Sequence, residues 1–181
     1  MPLPIRFEQH AEPHSWIITW LGLYIAATPG VRIDDNTTVR LDFENEVQPD
    51  ALLRLEPTLG GQSHISDDDY IEGPPELLVE IAASSAAYDM HAKRRVYARS
   101  GVQEYLVMQI YERRIDWFIL REGVYETLAP GTDGLFRSER FPGLWLQPAS
   151  FWSGDLAALL AVLQQGLAVP EHAEFVTRLQ R

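Results

Sequence analysis

A single glutamate inside an apolar run limits what this chain can fold into more than any other feature. Residues 77–81 read Leu-Leu-Val-Glu-Ile and follow a Gly-Pro-Pro segment, which is typical of a short buried β-strand. An ionised carboxylate is rarely buried without a partner, because desolvating it is costly. Glu80 is therefore expected to be paired, neutral or bound to a metal ion. We interpret it as a metal ligand, and the alternative is a buried salt bridge to an arginine such as Arg54.

The composition of the chain limits the classes of protein to which it can belong. The chain has 181 residues, enough for one domain with a real core and few for two, so residues 1–181 are predicted to form a single domain. There is no cysteine, which excludes a disulfide framework and a thiolate nucleophile. The start of the chain has no signal-peptide pattern and no apolar run reaches the length of a membrane span, so we expect a soluble cytoplasmic protein.

The charge of the chain is strongly acidic, with a net value of −11. Phosphate repels such a protein, although a divalent cation or a local basic patch can reverse the field at one site. Arg94, Arg95 and Arg99 form a basic run that could contact phosphate, and a solvated helix face explains them equally well. Lys93 is the only lysine among 15 cationic residues. An amine responds to its surroundings, whereas an arginine keeps its charge, so the position of this lysine matters.

Apolar periodicity predicts a mixed α/β chain with a central mixed sheet flanked by helices. Helices are predicted at about residues 13–28, 86–100, 148–165, with a break near Gly154, and 171–180. Strands are predicted at residues 31–34, 38–43, 47–55, 76–83, 102–110, 114–121 and 123–128, with an edge segment at 141–146. The first two strands are expected to form a hairpin that turns at Asp35-Asn36. Residues 56–75 are predicted to be a polar loop, and Ser84-Ser85 to start the central helix.

Three residues of this arrangement point to one site. Asp50 begins one strand, Glu80 lies within the next long strand, and Lys93 lies on the helix that follows it. If the two strands are neighbours, both carboxylates can project from the same side of the sheet. Two carboxylates, a backbone carbonyl and waters form an oxygen site that suits Mg²⁺ or Mn²⁺. Such an ion can activate water towards a phosphodiester, and a nearby ammonium can neutralise developing negative charge.

The order of the motifs resembles the Uma family of restriction endonucleases, which is assigned to the PD-(D/E)XK nuclease superfamily. The resemblance spans roughly residues 31–152, which would form the nuclease core between the N-terminal helix and the C-terminal helices at about 148–181. The segments that carry it are Val47-Gln48-Pro49-Asp50, residues 78–84, Asp89, Lys93, Tyr97, Gly101-Val102, Glu104-Tyr105 and residues 141–144. Pro49-Asp50 and the block from Glu80 to Lys93 are the most specific of them.

The resemblance implies a restriction-endonuclease-like domain that hydrolyses DNA with Mg²⁺ or Mn²⁺ held by Asp50 and Glu80. The superfamily lysine would stand two residues after Glu80, where this chain has Ala82. In families that resemble this one the amine comes from the following helix, which nominates Lys93. Asp89, four residues before Lys93, would pair with it or hold it in place.

Two further expectations follow from the same comparison. Nucleases of this type often pair subunits to cut two strands, so a homodimer is expected by analogy. The net charge and Ala82 leave a second function open, in which the chain keeps the nuclease fold as an inactive binding or assembly module.

Overall fold

A computed structural model of the protein describes residues 10–82 and 87–181, without the side chains of residues 87–90. The predicted helix start at Ser84-Ser85 therefore lies outside the described residues. The helices are α1 Glu12–Ala26, α2 Ala87–Ser100, α3 Pro148–Ser153, α4 Leu156–Leu167 and α5 Pro170–Leu179, with a 3₁₀ turn at Pro57–Leu59. The strands are β1 Val31–Asp35, β2 Val39–Arg40, β3 Glu46–Val47, β4 Ala51–Leu55, β5 His64–Ile65, β6 Ile71–Glu72, β7 Leu77–Ala82, β8 Glu104–Gln109, β9 Arg114–Arg121, β10 Val124–Thr127, β11 Phe136–Arg137 and β12 Trp145–Leu146.

The central sheet has six strands in the order β1-β4-β7-β8-β9-β10. Its one parallel pair is β7 with β8, and the other neighbours in this sheet run antiparallel. Parallel neighbours need a crossover, and α2 supplies it between β7 and β8. The mixed sheet with helices on its faces is the predicted fold class.

The two faces of the sheet bury separate hydrophobic clusters, because successive strand residues point to opposite sides. Odd-numbered residues of β4 and β7, such as Leu53 and Val79, pack with α1, α4 and α5. Even-numbered residues, such as Leu52 and Leu78, pack with α2 and with the small sheet. Glu80 belongs to the second set, so its side chain leaves the sheet on the face that α2 covers.

The predicted hairpin between residues 31–34 and 38–43 is wrong. β1 pairs antiparallel with β4, whereas β2 pairs with β3 and β6 in a separate four-stranded sheet. Asn36 takes a left-handed conformation with φ of 51°, which turns the chain out of the central sheet. Strand alternation shows that a segment can pair but not which segment it pairs with, so the error concerns the partner rather than the strands.

Other departures are local. The predicted strand at residues 47–55 is divided into β3 and β4, since Pro49 cannot donate to a ladder. The predicted loop at residues 56–75 contains β5 and β6 of the small sheet, and β11, which pairs with β12, was not predicted. The helix at residues 148–165 is interrupted at Gly154, as predicted, where φ is +78°. Within the described part of the chain, none of the helices is long and apolar enough to cross a membrane.

Candidate active site

Asp50 and Glu80 are placed side by side by the pairing of β4 with β7. The antiparallel register aligns Ala51 with Val79, and continuing it by one residue brings Asp50 opposite Glu80. Asp50 follows Pro49 at the point where the chain enters the central sheet. The two carboxylates thus occupy one end of a strand pair, near the start of α2.

Glu80 is mostly buried and is bound by two side chains of α2. Lys93 Nζ donates to both carboxylate oxygens, at 3.0 Å each, and the Tyr97 hydroxyl donates to Oε1 at 2.8 Å. Lys93 and Tyr97 are four residues apart and therefore share one face of the helix. Burial raises the pKa of Glu80, the cation and hydroxyl donors oppose that rise, and the Asp50 charge adds to it. Burial raises the pKa of Tyr97, and the nearby Glu80 charge adds to that rise.

Arg54 is not the partner of Glu80. Arg54 lies on β4 with its Nε 3.3 Å from Asp34 Oδ2, on the neighbouring strand β1. Burial raises the pKa of Asp34, and the charge of Arg54 opposes that rise. The buried carboxylate in β7 is paired, but with the only lysine of the chain.

Asp50 is held by the backbone of the strand that carries Glu80. Its Oδ2 accepts a hydrogen bond from the Ile81 amide at 2.6 Å, which fixes the carboxylate against β7. Its Oδ1 lies 3.4 Å from His10 Nε2. A carboxylate offers about four acceptor positions, so Asp50 keeps capacity for a further ligand.

Two histidines at the start of α1 lie at this site, which the sequence did not reveal. His14 Nε2 is 2.9 Å from the backbone oxygen of Asp50 and 3.0 Å from Asp35 Oδ1. The rings of His10 and His14 stack, with centroids 5.7 Å apart. Their spacing of four residues was visible, but their contact with Asp50 depends on how α1 crosses the end of β4. The sequence offers no signal for that.

Asp89, the predicted partner of Lys93, lies in α2, and its side chain is outside the described residues. Among those that are described, no three histidine, aspartate or glutamate side chains are grouped closely enough to hold a metal ion by themselves. The structure does bring Asp50, Glu80 and Lys93 together, as two carboxylates and one cation. Their roles stay a prediction.

Tyr97→Phe is expected to lower the free energy of unfolding by about 1–2 kcal/mol, because a hydrogen bond to a buried carboxylate is lost without loss of ring packing. Urea unfolding monitored by circular dichroism would measure the change. Tyr111→Phe is the matched control, since Tyr111 is exposed, and it should change stability by less than about 0.5 kcal/mol. Equal effects of the two substitutions would contradict the expectation.

Comparison with known proteins identifies the family and the fold of the chain. A sequence profile of the Uma2 family, described as "Putative restriction endonuclease", matches residues 3–149. The chain belongs to the Uma2 family. The match begins well before residue 31, so it includes α1 and the two histidines as well as the predicted core up to residue 149. It ends before α4 and α5, which pack behind the sheet.

A solved structure shares the fold of this Uma2 protein. It is the crystal structure of a protein described as a putative nuclease belonging to DUF820 from Anabaena variabilis ATCC 29413. The TM-score is 0.58 with 12% sequence identity, over 90% of this chain and 84% of the other. At that identity the likeness concerns the fold. A search of curated proteins gives no match.

Proposed function

We propose that this Uma2 protein is a metal-dependent endonuclease that hydrolyses DNA phosphodiester bonds. Asp50 and Glu80 would hold Mg²⁺ or Mn²⁺, and Lys93 would assist the attacking water. The observation that carries the proposal is the buried Glu80, bound by Lys93 at 3.0 Å and set beside Asp50. A buried carboxylate with a shifted pKa, a specific cationic partner and a second acid is an arrangement found more often at functional sites than in ordinary cores.

The residues present suit a small divalent ion. Mg²⁺ usually binds through one or two carboxylates and keeps several waters, so it does not need a cage of three protein side chains. Glu80 accepts three hydrogen bonds and Asp50 has two polar neighbours, which leaves acceptor positions on both. All of these acceptors are carboxylate oxygens, the ligand type that Mg²⁺ and Mn²⁺ share.

Each protein group has a distinct task in this proposal. A bound divalent ion supplies Lewis acidity and lowers the pKa of a coordinated water. Asp50 is fixed by the Ile81 amide and Glu80 by Lys93 and Tyr97, so both ligands are oriented before any ion binds. The Lys93 ammonium supplies positive charge where negative charge grows on the phosphate during attack.

A cleavage assay tests the proposal. Supercoiled plasmid and branched DNA would be incubated with the protein in Mg²⁺, in Mn²⁺ and in EDTA, and wild type compared with Asp50→Ala. Cleavage by wild type that depends on the metal, with none by Asp50→Ala, is expected. Linear product formed without a nicked intermediate would further support a homodimer that carries two sites. If wild type and Asp50→Ala behave alike on every substrate, the catalytic proposal fails.

The second candidate is an inactive nuclease-fold protein that serves as a binding or assembly module. The observation that favours it is Ala82, which stands where the superfamily has lysine. Calorimetric titration with Mn²⁺ separates the two candidates. Binding that Glu80→Gln abolishes supports an active site, and absence of binding by wild type supports the module.

A further inference from the structure

The side of α2 turned away from Glu80 forms a basic groove in an otherwise acidic protein. It has a volume of about 540 Å³ and runs between α2 and β10. We name it the arginine groove, and the residues that line it are His91, Arg94, Arg95, Ala98, Arg99, Gly123, Val124 and Tyr125. None of these lining residues is acidic. The groove beside β2 differs in charge, because its lining includes Arg40 together with the acidic residues Asp42, Glu44, Glu46 and Glu72.

Arg95 and Arg99 are the exposed arginines of the arginine groove. They stand four residues apart on one face of α2, and neither has a hydrogen-bond or ion-pair partner among the described residues. Elsewhere in the described structure several arginines, including Arg40 and Arg121, are bound to carboxylates. With 26 acidic residues in the chain, an arginine pair that the fold leaves without a carboxylate is available for a negative ligand.

Arg94 forms the fixed wall of the groove. Its guanidinium lies 4.3 Å above the Phe118 ring and donates to the Tyr125 carbonyl at 3.3 Å. Gly123 next to it has no side chain, and Tyr125 is buried with its hydroxyl donating to the Val102 carbonyl. These contacts hold Arg94 and Tyr125 in place. Guanidinium groups suit phosphate because their planar donors match its oxygens.

We propose that the arginine groove binds the sugar-phosphate backbone of the DNA substrate, through Arg95 and Arg99, at phosphates away from the bond that is cut. Arg95 is two residues beyond Lys93, which places it roughly 200° around the helix. Its side chain therefore leaves α2 on a different side from Lys93, away from Glu80. Contacts to distant phosphates hold the register of a duplex without reading its sequence.

The net charge of −11 opposes DNA binding over the rest of the surface, and such a groove would provide one region that attracts DNA. A local positive potential on this side of α2 would orient a polyanion that the remaining surface repels. The inference rests on the proposed function only in its choice of DNA as the ligand, because the groove itself contains no part of the catalytic set.

The test measures binding separately from cleavage. Fluorescence anisotropy with a short labelled DNA duplex would be recorded in Ca²⁺, over a series of salt concentrations, for wild type and for Arg95→Ala/Arg99→Ala. The double variant is expected to bind about tenfold more weakly at low salt and to lose about two units of the slope of log affinity against log salt. Arg178→Ala/Arg181→Ala is the matched control. It removes the same charge at the end of α5 and just beyond it, outside the groove, and should bind as wild type does.

The outcomes for the two proposals are distinguishable. Equal affinity and salt slope for wild type and Arg95→Ala/Arg99→Ala, or an equal loss in the α5 control, overturns the arginine groove whatever the cleavage assay shows. A specific loss in the groove variant supports it even if Asp50→Ala cleaves like wild type, in which case only the catalytic proposal fails. Circular dichroism of both double variants checks that they are folded.

Discussion

Lys93→Gln is expected to lower the rate of metal-dependent DNA cleavage by about 10²–10³-fold while Mn²⁺ still binds. The rate falls because a positive charge aimed at developing negative charge is lost, and single donors of this kind contribute rate factors of that size. The effect of the substitution on Mn²⁺ affinity has a different cause from its effect on the rate. Lys93 Nζ lies 3.0 Å from both oxygens of Glu80, so it competes for the lone pairs that an ion would use. Removing it should leave affinity unchanged or increase it.

The measurement must separate these two effects. Cleavage rate at saturating metal and Mn²⁺ affinity by calorimetry would both be taken at alkaline pH, because burial raises the pKa of Glu80 and loss of the cation raises it further. Alkaline pH favours the ionised form of Glu80 in both proteins. Lys93→Arg is the charge-preserving control and should recover part of the rate. The recovery is expected to be incomplete, because the guanidinium is larger than the ammonium and does not give up its proton.

The opposite pattern would assign Lys93 a structural role. If Lys93→Gln loses rate and Mn²⁺ affinity together, the lysine acts by holding Glu80 in place. If the rate is unchanged, it takes no part in catalysis, and Ala82 then leaves the site without an amine. Tyr97→Phe helps to judge the result, because it removes another donor to Glu80 without changing charge.

The central strand, the following helix and their site residues were predictable because the signal is local. A buried carboxylate in an apolar strand, a glycine that ends α2 with φ of +91° and the spacing of Lys93 and Tyr97 are all written within a short segment. Strand pairing is not local. The predicted hairpin gave β1 the wrong partner, and the same error left Arg54 free to pair with Glu80. Once β1 lies against β4, Asp34 is beside Arg54 and that alternative disappears.

The contacts of Asp50 with His10 and His14 were beyond sequence reasoning for a similar reason. His14 and Asp50 are 36 positions apart, and the path of α1 over the sheet decides whether they meet. The family profile starts at residue 3, whereas the resemblance read from the motifs began near residue 31 and so did not draw attention to this N-terminal segment.

Glu104→Gln is expected to lower the free energy of unfolding by about 2–6 kcal/mol, because two buried donors lose their acceptor at about 1–3 kcal/mol each. Glu104 is 1% exposed. Its Oε1 accepts from the Glu139 and Arg140 amides at 2.8 Å, and its Oε2 accepts from Trp117 Nε1 at 3.1 Å and Ser138 Oγ at 2.8 Å. The bonds to Ser138, Glu139 and Arg140 fasten the segment after β11 to the central sheet, and the bond to Trp117 joins β8 to β9.

Glutamine fills the same volume but has one acceptor oxygen, so its amide nitrogen must face a pair of donors in either orientation. Placed at Oε1, it opposes two backbone amides that cannot rotate. Placed at Oε2, it opposes the Trp117 indole, and Ser138 can turn only by leaving its own network, in which its Oγ also accepts from the Phe141 amide. Urea unfolding of wild type, Glu104→Gln and the exposed control Glu112→Gln measures the difference. A loss below about 0.5 kcal/mol, the size expected for the control, would show that the network relaxes around the substitution.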